Sequence, residues 1–239
     1  MTDHTADLSP RRAAKVAGFG YLIIIITGLL AEFFVRSRLI VWSDAAATAN
    51  NILTSGGLFR LGISSELVML ACDAVVAVAL YALLRPVNKT LALLAASFRL
   101  IHTAISGINL LNLVKVLLLL SGAGYLKALE PNQVSAQIML FLNAHNFGYL
   151  IALVFFAFHC LILGYLIFKS SYIPGILGVL LILASFGYLT DSFAKILLVN
   201  YADYATVFLL IVAVPAIVAE LSFCFWLLFR GGKIQLKVS

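Results

Sequence analysis

Charge is the first thing this sequence lacks. Only 11% of its 239 residues are Asp, Glu, Lys or Arg, against 63% apolar, and the mean hydropathy is +1.09. A fold with a water-facing surface needs far more charge than that, so a soluble globular domain is excluded. Cysteine is scarce too: Cys72, Cys160 and Cys224 each lie inside an apolar run without CxxC spacing. That excludes a redox pair or a zinc knuckle and leaves three small packing residues. No GxGxxG, GxxxxGK[ST] or GxSxG occurs, so phosphate loops and nucleophile elbows are missing, and so is the HExxH or HxxxH spacing of a helical zinc site. The formal charge of +6 does not form a basic stripe interleaved with exposed aromatics, which argues against nucleic acid as a partner.

What remains is apolar runs. Six of them, ending near Phe34 and spanning about Leu58 to Leu84, Leu91 to Leu120, Ile138 to Phe168, Pro174 to Val199 and Thr206 to Phe229, reach the roughly 20 residues that cross a bilayer. The first is longer than a signal-peptide core and runs into AEFFVRSR, so it reads as an uncleaved span. Ser9 followed by Pro10 is its start signal. The expected fold is all-α, an integral membrane bundle of six transmembrane helices. Residues 1–14 form an N-terminal head, 15–229 a single transmembrane domain and 230–239 a tail.

Lys and Arg sort the ends. One side collects Arg11, Arg12, Lys15, Arg85, Lys89, Lys169, Arg230, Lys233 and Lys237; the other has Arg36, Arg38, Arg60 and Lys127, diluted by Asp44, Glu130 and Asp203. The positive-inside rule then puts both termini in the cytoplasm and the chain in a cell inner membrane. Two connections on the other side are long. In the first, Ser43 is positioned to cap a short AAATANNIL helix, and in the second Pro131 opens the fourth span. FGYL recurs at Phe19, Phe147 and Phe186, in spans 1, 4 and 5.

Every span carries an ionisable residue: Glu32, then Glu66 and Asp73, then Arg99 and His102, then His145 and His159, then Asp191 and Lys195, then Glu220. A charge at the bilayer centre costs at least about 2.5–3.5 kcal/mol, so such groups face the bundle interior and pair or bind something. Helical geometry puts Arg99, His102, Ser106 and Asn109 within an arc of about 80°. Glu66 and Asp73, seven apart, nearly eclipse, and His145, Tyr149, Phe156 and His159 lie along one stripe. Lys115 falls off the arc and can snorkel.

Threading the spans antiparallel gives two stations. The outer one holds Glu32, Glu66, Asn109, Asn112, His145 and Asp191, and the deeper one Asp73, Arg99, His102, His159 and Glu220, with Arg99 able to neutralise Asp73 or Glu220 and Asp191 able to pair with Lys195. The expected site is a polar cavity that binds or passes a small or amphiphilic ligand, or protons. Three other readings compete with it. A metal hydrolase would use His145 with Glu66, Asp191 or Glu32. A b-type haem would use His102 and His159 as axial ligands. The remaining reading is polar packing alone. No cofactor is assigned, the catalytic and metal residues stay unknown, and the partners expected are the lipid bilayer and a small-molecule or lipid ligand.

The runs AEFFVRSRLIV, DAAATANNIL, FRLGISSELVMLACD, LYALLRPVNKTLALLAASFRL, FLNAHNFGYLIALVFFAFHCLILGYL and YIPGILGVLLILASFGYLTDSF, in this order, resemble a bacterial six-span membrane family catalogued as domain of unknown function 4386. The likeness covers about Lys15 to Phe229. It implies the fold and the membrane, and it implies that Glu32, Glu66, Asp73, Arg99, His145, Asp191 and Glu220 are characteristic positions. It implies no activity.

Overall fold

A computed structural model describes residues 8–234, and among them every regular element is helical and no strand forms. Six helices are long and apolar enough to cross a membrane: Pro10–Leu39, Gly56–Leu84, Lys89–Leu119, Pro131–Lys169, Gly175–Leu197 and Tyr201–Phe229. They match the six runs of the sequence. Lys237 and the first seven residues of the head lie outside the described residues.

The first span is three pieces: α1 (Pro10–Leu29), a π-helical segment at Leu30–Arg36, and the short α2 (Ser37–Leu39). The Ser9 hydroxyl accepts from the Arg12 N–H at 3.4 Å, which leaves Pro10 at the first helical position, where a missing N–H costs nothing. In the π-helical segment the Ser37 N–H reaches back five residues to the Glu32 carbonyl, the wider turn of a π-bulge. A short helix α3 (Ala45–Thr54) follows. Its cap is Asp44, not the expected Ser43: the Asp44 carboxylate accepts from the Ala47 N–H at 2.9 Å with Asp44 in extended backbone, while Ser43 falls one residue too early. The buried Thr48 hydroxyl ties α3 to the end of span 1, accepting from the Val41 N–H and donating to the Val41 carbonyl.

Span 2 is α4 (Gly56–Leu84). Span 3 is α5 (Lys89–Asn109) and α6 (Leu111–Leu119), interrupted at Leu110, where the sequence predicts one continuous run. At that interruption the Asn109 carbonyl faces the His145 ring, with Nδ1 at 3.4 Å, so a side-chain partner on another helix stands at the end of α5. Spans 4 to 6 are α7 (Pro131–Lys169), opened by Pro131 as predicted, α8 (Gly175–Leu197) and α9 (Tyr201–Phe229), whose first turn starts earlier than the expected Thr206.

The chain folds as two compact units. Among the described residues the first unit holds 8–22, 72–102 and 152–234, and the second holds 23–71 and 103–151. The first core is rich in small residues: Ala13, Ala14, Ala17, Ala92, Ala95, Ala184 and Ala219 are buried, and a Cβ on Gly164 or Gly178 would run into the backbone of the facing helix. Close backbone approach through small side chains is how helices gain packing in lipid, where apolar burial against lipid tails contributes little. The second unit has a larger-residue core of Val35, Leu39, Ile52, Phe59, Ile63, Leu110, Leu113, Val116, Ile138 and Leu142.

Candidate functional site

Each unit encloses one polar cluster. In the second unit the cluster is built around Arg36, which the charge count of the sequence places near a span end. The π-helical segment carries both Glu32 and Arg36, and there Arg36 Nε donates to Glu32 Oε2 at 2.8 Å. Arg36 Nη1 donates to Glu66 Oε1 at 3.0 Å and stands 3.3 Å from His145 Nε2. Because a guanidinium only donates, the His145 nitrogen facing it is the unprotonated one, assigned here from this geometry. His145 is therefore neutral, with its Nδ1–H directed at the Asn109 carbonyl at 3.4 Å.

Asn109 completes the wall. Its amide donates to the His145 carbonyl at 2.8 Å, its Oδ1 accepts from Asn112 at 3.0 Å, and Asn112 Oδ1 accepts from Lys115 at 3.3 Å. Lys115, exposed, also lies over the Phe141 ring. Glu66, His145 and Asn109 are buried, whereas the Glu32 side chain is 55% exposed and that of Arg36 25%. The cluster is thus closed at the back and open along the π-helical segment.

In the first unit the cluster is shut. Arg99, 1% exposed, donates through Nη2 to Asp73 Oδ1 at 2.5 Å and through Nη1 to the Tyr21 hydroxyl at 2.8 Å. Nη1 also stands 3.0 Å from His159 Nε2. The guanidinium lies over the rings of Tyr21 and Phe156, at 4.8 and 5.3 Å from their centroids. His159 Nδ1 is 2.9 Å from the Ala95 carbonyl and His102 Nδ1 is 3.1 Å from the Ala152 carbonyl. Phe156 stands edge-on to Tyr188, whose hydroxyl donates to Glu220 Oε1 at 2.6 Å. Of the two carboxylates the sequence offers to Arg99, Asp73 takes it and Glu220 takes a tyrosine.

These positions sort the sequence candidates. Glu32, Glu66, Asn109, Asn112, His145 and Tyr149 belong to the second unit; Asp73, Arg99, His102, His159 and Glu220 belong to the first. Asp191 belongs to the first unit, where it accepts from the Tyr201 hydroxyl at 2.6 Å. Lys195 lies over the Tyr201 ring at 5.6 Å instead of pairing with Asp191, and that ring is stacked on Phe208. The haem arrangement is not favoured, since both His159 nitrogens are already engaged by Ala95 and Arg99. Among the described residues no three His, Cys, Asp or Glu side chains converge as a metal site.

Three residues the sequence reading passed over matter here: Arg36, Tyr21 and Tyr188. Arg36 had a readable signal, an acidic residue four positions earlier, in the favourable Glu-then-Arg order. The tyrosines had one in FGYL. Successive helical residues turn about 100°, so in each copy the phenylalanine and the tyrosine point to nearly opposite sides. Phe19, Phe147 and Phe186 are exposed, while Tyr21 and Tyr188 bond polar-cluster residues and Tyr149 lies in the field of Arg36. The glycine between them is a contact point each time: a Cβ on Gly20, Gly148 or Gly187 would overlap Val76, Asn109 or the Ile211 carbonyl.

The chain has relatives. Residues 16–231 match the family described as Domain of unknown function (DUF4386). An uncharacterised protein of Archaeoglobus fulgidus is 31% identical over 167 residues, which cover 70% of this chain and 82% of the archaeal one. No solved structure matches.

Proposed function

This chain belongs to the DUF4386 family, and on that premise we propose that it is a multi-pass membrane protein whose second-unit cluster binds a small or amphiphilic polar ligand. The observation that carries the reading is the contrast between the two clusters. Arg99 and Asp73 are sealed on every side, as a packing device needs to be, whereas Arg36 and Glu32 keep part of their surface open beside buried Glu66 and His145. A polar group in a membrane helix is costly and marks a candidate functional site, and π-helical turns are frequent at functional sites. The exposed Phe33 and Phe34 on the same segment offer an apolar surface for the tail of an amphiphile.

The basic residues near both described termini support cytoplasmic ends and an inner-membrane location. Reporter fusions at each end test this, and activity of a periplasm-dependent reporter at either would overturn it. Binding is tested by thermal unfolding of the detergent-purified protein against a panel of polar amphiphiles. Stabilisation that disappears in Arg36→Gln and persists in Lys195→Gln supports the site, whereas stabilisation equal in both variants and the parent rejects it.

A further inference from the structure

A second surface, independent of the Arg36 cluster, lies where α1 begins and α9 ends, both within the first unit. The two segments run side by side. Arg11 Nε donates to the Ile234 carbonyl at 2.7 Å, and a Cβ on Gly231 would lie 2.6 Å from that of Ala14. A Cβ on Gly232 would lie 2.7 Å from Lys15 Cε and 3.5 Å from its Nζ. The bare glycines thus let the 3₁₀ turn Gly231–Lys233 pass close beneath Lys15. Arg11 and Lys15, four apart on one face of α1, are thereby set against Arg230 and Lys233.

Four cations meet here without an acid. Among the described residues none of them has a carboxylate partner. The acids of the unit stand elsewhere: Asp73 and Glu220 in the closed cluster, Asp191 and Asp203 near the far ends of α8 and α9. Like charges at i, i+4 repel, and the bond to Ile234 keeps Arg11 from swinging away from Lys15. Held by Nε, Arg11 keeps both Nη groups for an anion, since neither donates to another described residue. All four side chains are on exposed residues.

Depth selects the anion. At about 1.5 Å per residue, the spans Pro10–Leu39 and Tyr201–Phe229 run about 43–45 Å, beyond the roughly 30 Å hydrocarbon core and into the headgroup layer. Next to the cations the surface is apolar. Val16 and Phe19 follow Lys15 along α1, and Phe225 and Phe229, stacked at 6.2 Å, precede Arg230 on α9; all four are exposed. A phosphate at the cations therefore has its acyl chains beside apolar side chains, a match that a soluble anion does not use.

We propose that this end of the first unit binds the phosphate headgroup of an anionic phospholipid, held by Arg11, Lys15, Arg230 and Lys233.

Thermal unfolding of the full chain in a non-ionic detergent, titrated separately with phosphatidylglycerol, phosphatidylcholine, glycerol phosphate and polyglutamate, tests this. Phosphatidylglycerol is expected to raise the midpoint and the other three to leave it unchanged. Lys15→Gln and Lys233→Gln, at exposed positions, should each weaken the phosphatidylglycerol effect about fivefold. Arg60→Gln, in the second unit, removes the same charge and should leave the effect whole. Arg11→Gln should weaken it as well, and the two lysine variants keep the test open if Arg11→Gln does not fold. Equal weakening in Arg60→Gln and the lysine variants would reduce the effect to net charge and overturn the site. Phosphatidylcholine or glycerol phosphate stabilising as well as phosphatidylglycerol would overturn the anionic lipid. Stabilisation by polyglutamate alone would make this an acidic-protein surface and overturn the lipid too, as would no response to phosphatidylglycerol.

Discussion

Gly148 and Asn109 fit together because one of them has no side chain: a Cβ at Gly148 would overlap the Asn109 carboxamide, the group that holds the His145 carbonyl and receives Asn112. Gly148→Ala should therefore destabilise the protein by roughly 1–3 kcal/mol through overpacking. Gly28→Ala is the control, since its new methyl meets only Met69 Sδ at an ordinary 3.8 Å and alanine suits a helix better. Thermal unfolding of both variants in detergent checks the contrast, and equal effects would remove the close-contact argument.

The Asp73–Arg99 pair is a closed system, so the two single variants should behave differently from the double one. Asp73→Asn or Arg99→Ala leaves a buried charge without its partner and should cost about 3–5 kcal/mol. Asp73→Leu combined with Arg99→Met removes both charges and should recover much of that loss. Denaturation midpoints for the three variants decide the matter, with additive losses in the double variant as the contrary outcome.

Tyr188 and Glu220 make an unequal pair of mutations. Tyr188→Phe strips the Glu220 carboxylate of its hydroxyl donor and should cost about 1–3 kcal/mol. Glu220→Gln keeps an amide oxygen that still accepts from Tyr188, so its unfolding temperature should stay closer to the parent's. The reverse order would mean that the carboxylate has another essential partner.

Helix α3 offers a local test. Asp44→Ala should cost about 1 kcal/mol of cap energy and speed hydrogen exchange in residues 45–48, while Ser43→Ala should do neither. Mass-spectrometric exchange on the two variants reads this directly.

Between α7 and α8, Tyr172 donates to the Leu83 carbonyl at 2.7 Å, and burial pushes its phenol up to about 12. A folded-state pKa raised above the unfolded value gives stability that is whole below pH ~10 and is lost as pH rises through about 12. Tyr172→Phe should flatten that part of the alkaline stability curve, and the tyrosinate absorbance difference between variant and parent should show the late titration.

The sequence by itself determined the class, the number of spans and most of the helix starts. Those are local or compositional facts: Ser9 before Pro10, Pro131 at the start of α7, and six apolar runs too long and too uncharged for water. It also determined which faces are polar, because the 100° step of a helix fixes that Arg99, His102 and Asn109 share a side. Partner choice was not local. That Arg99 goes to Asp73 while Glu220 goes to Tyr188, that Asp191 takes Tyr201 rather than Lys195, and that Asp44 displaces Ser43 as the cap depend on distances between segments or on backbone angles that no spacing encodes. The π-helical segment is the clearest case. It leaves no residue signature in LAEFFVR, yet it carries both Glu32 and Arg36, and only the tertiary structure brings Arg36 to Glu66 and His145.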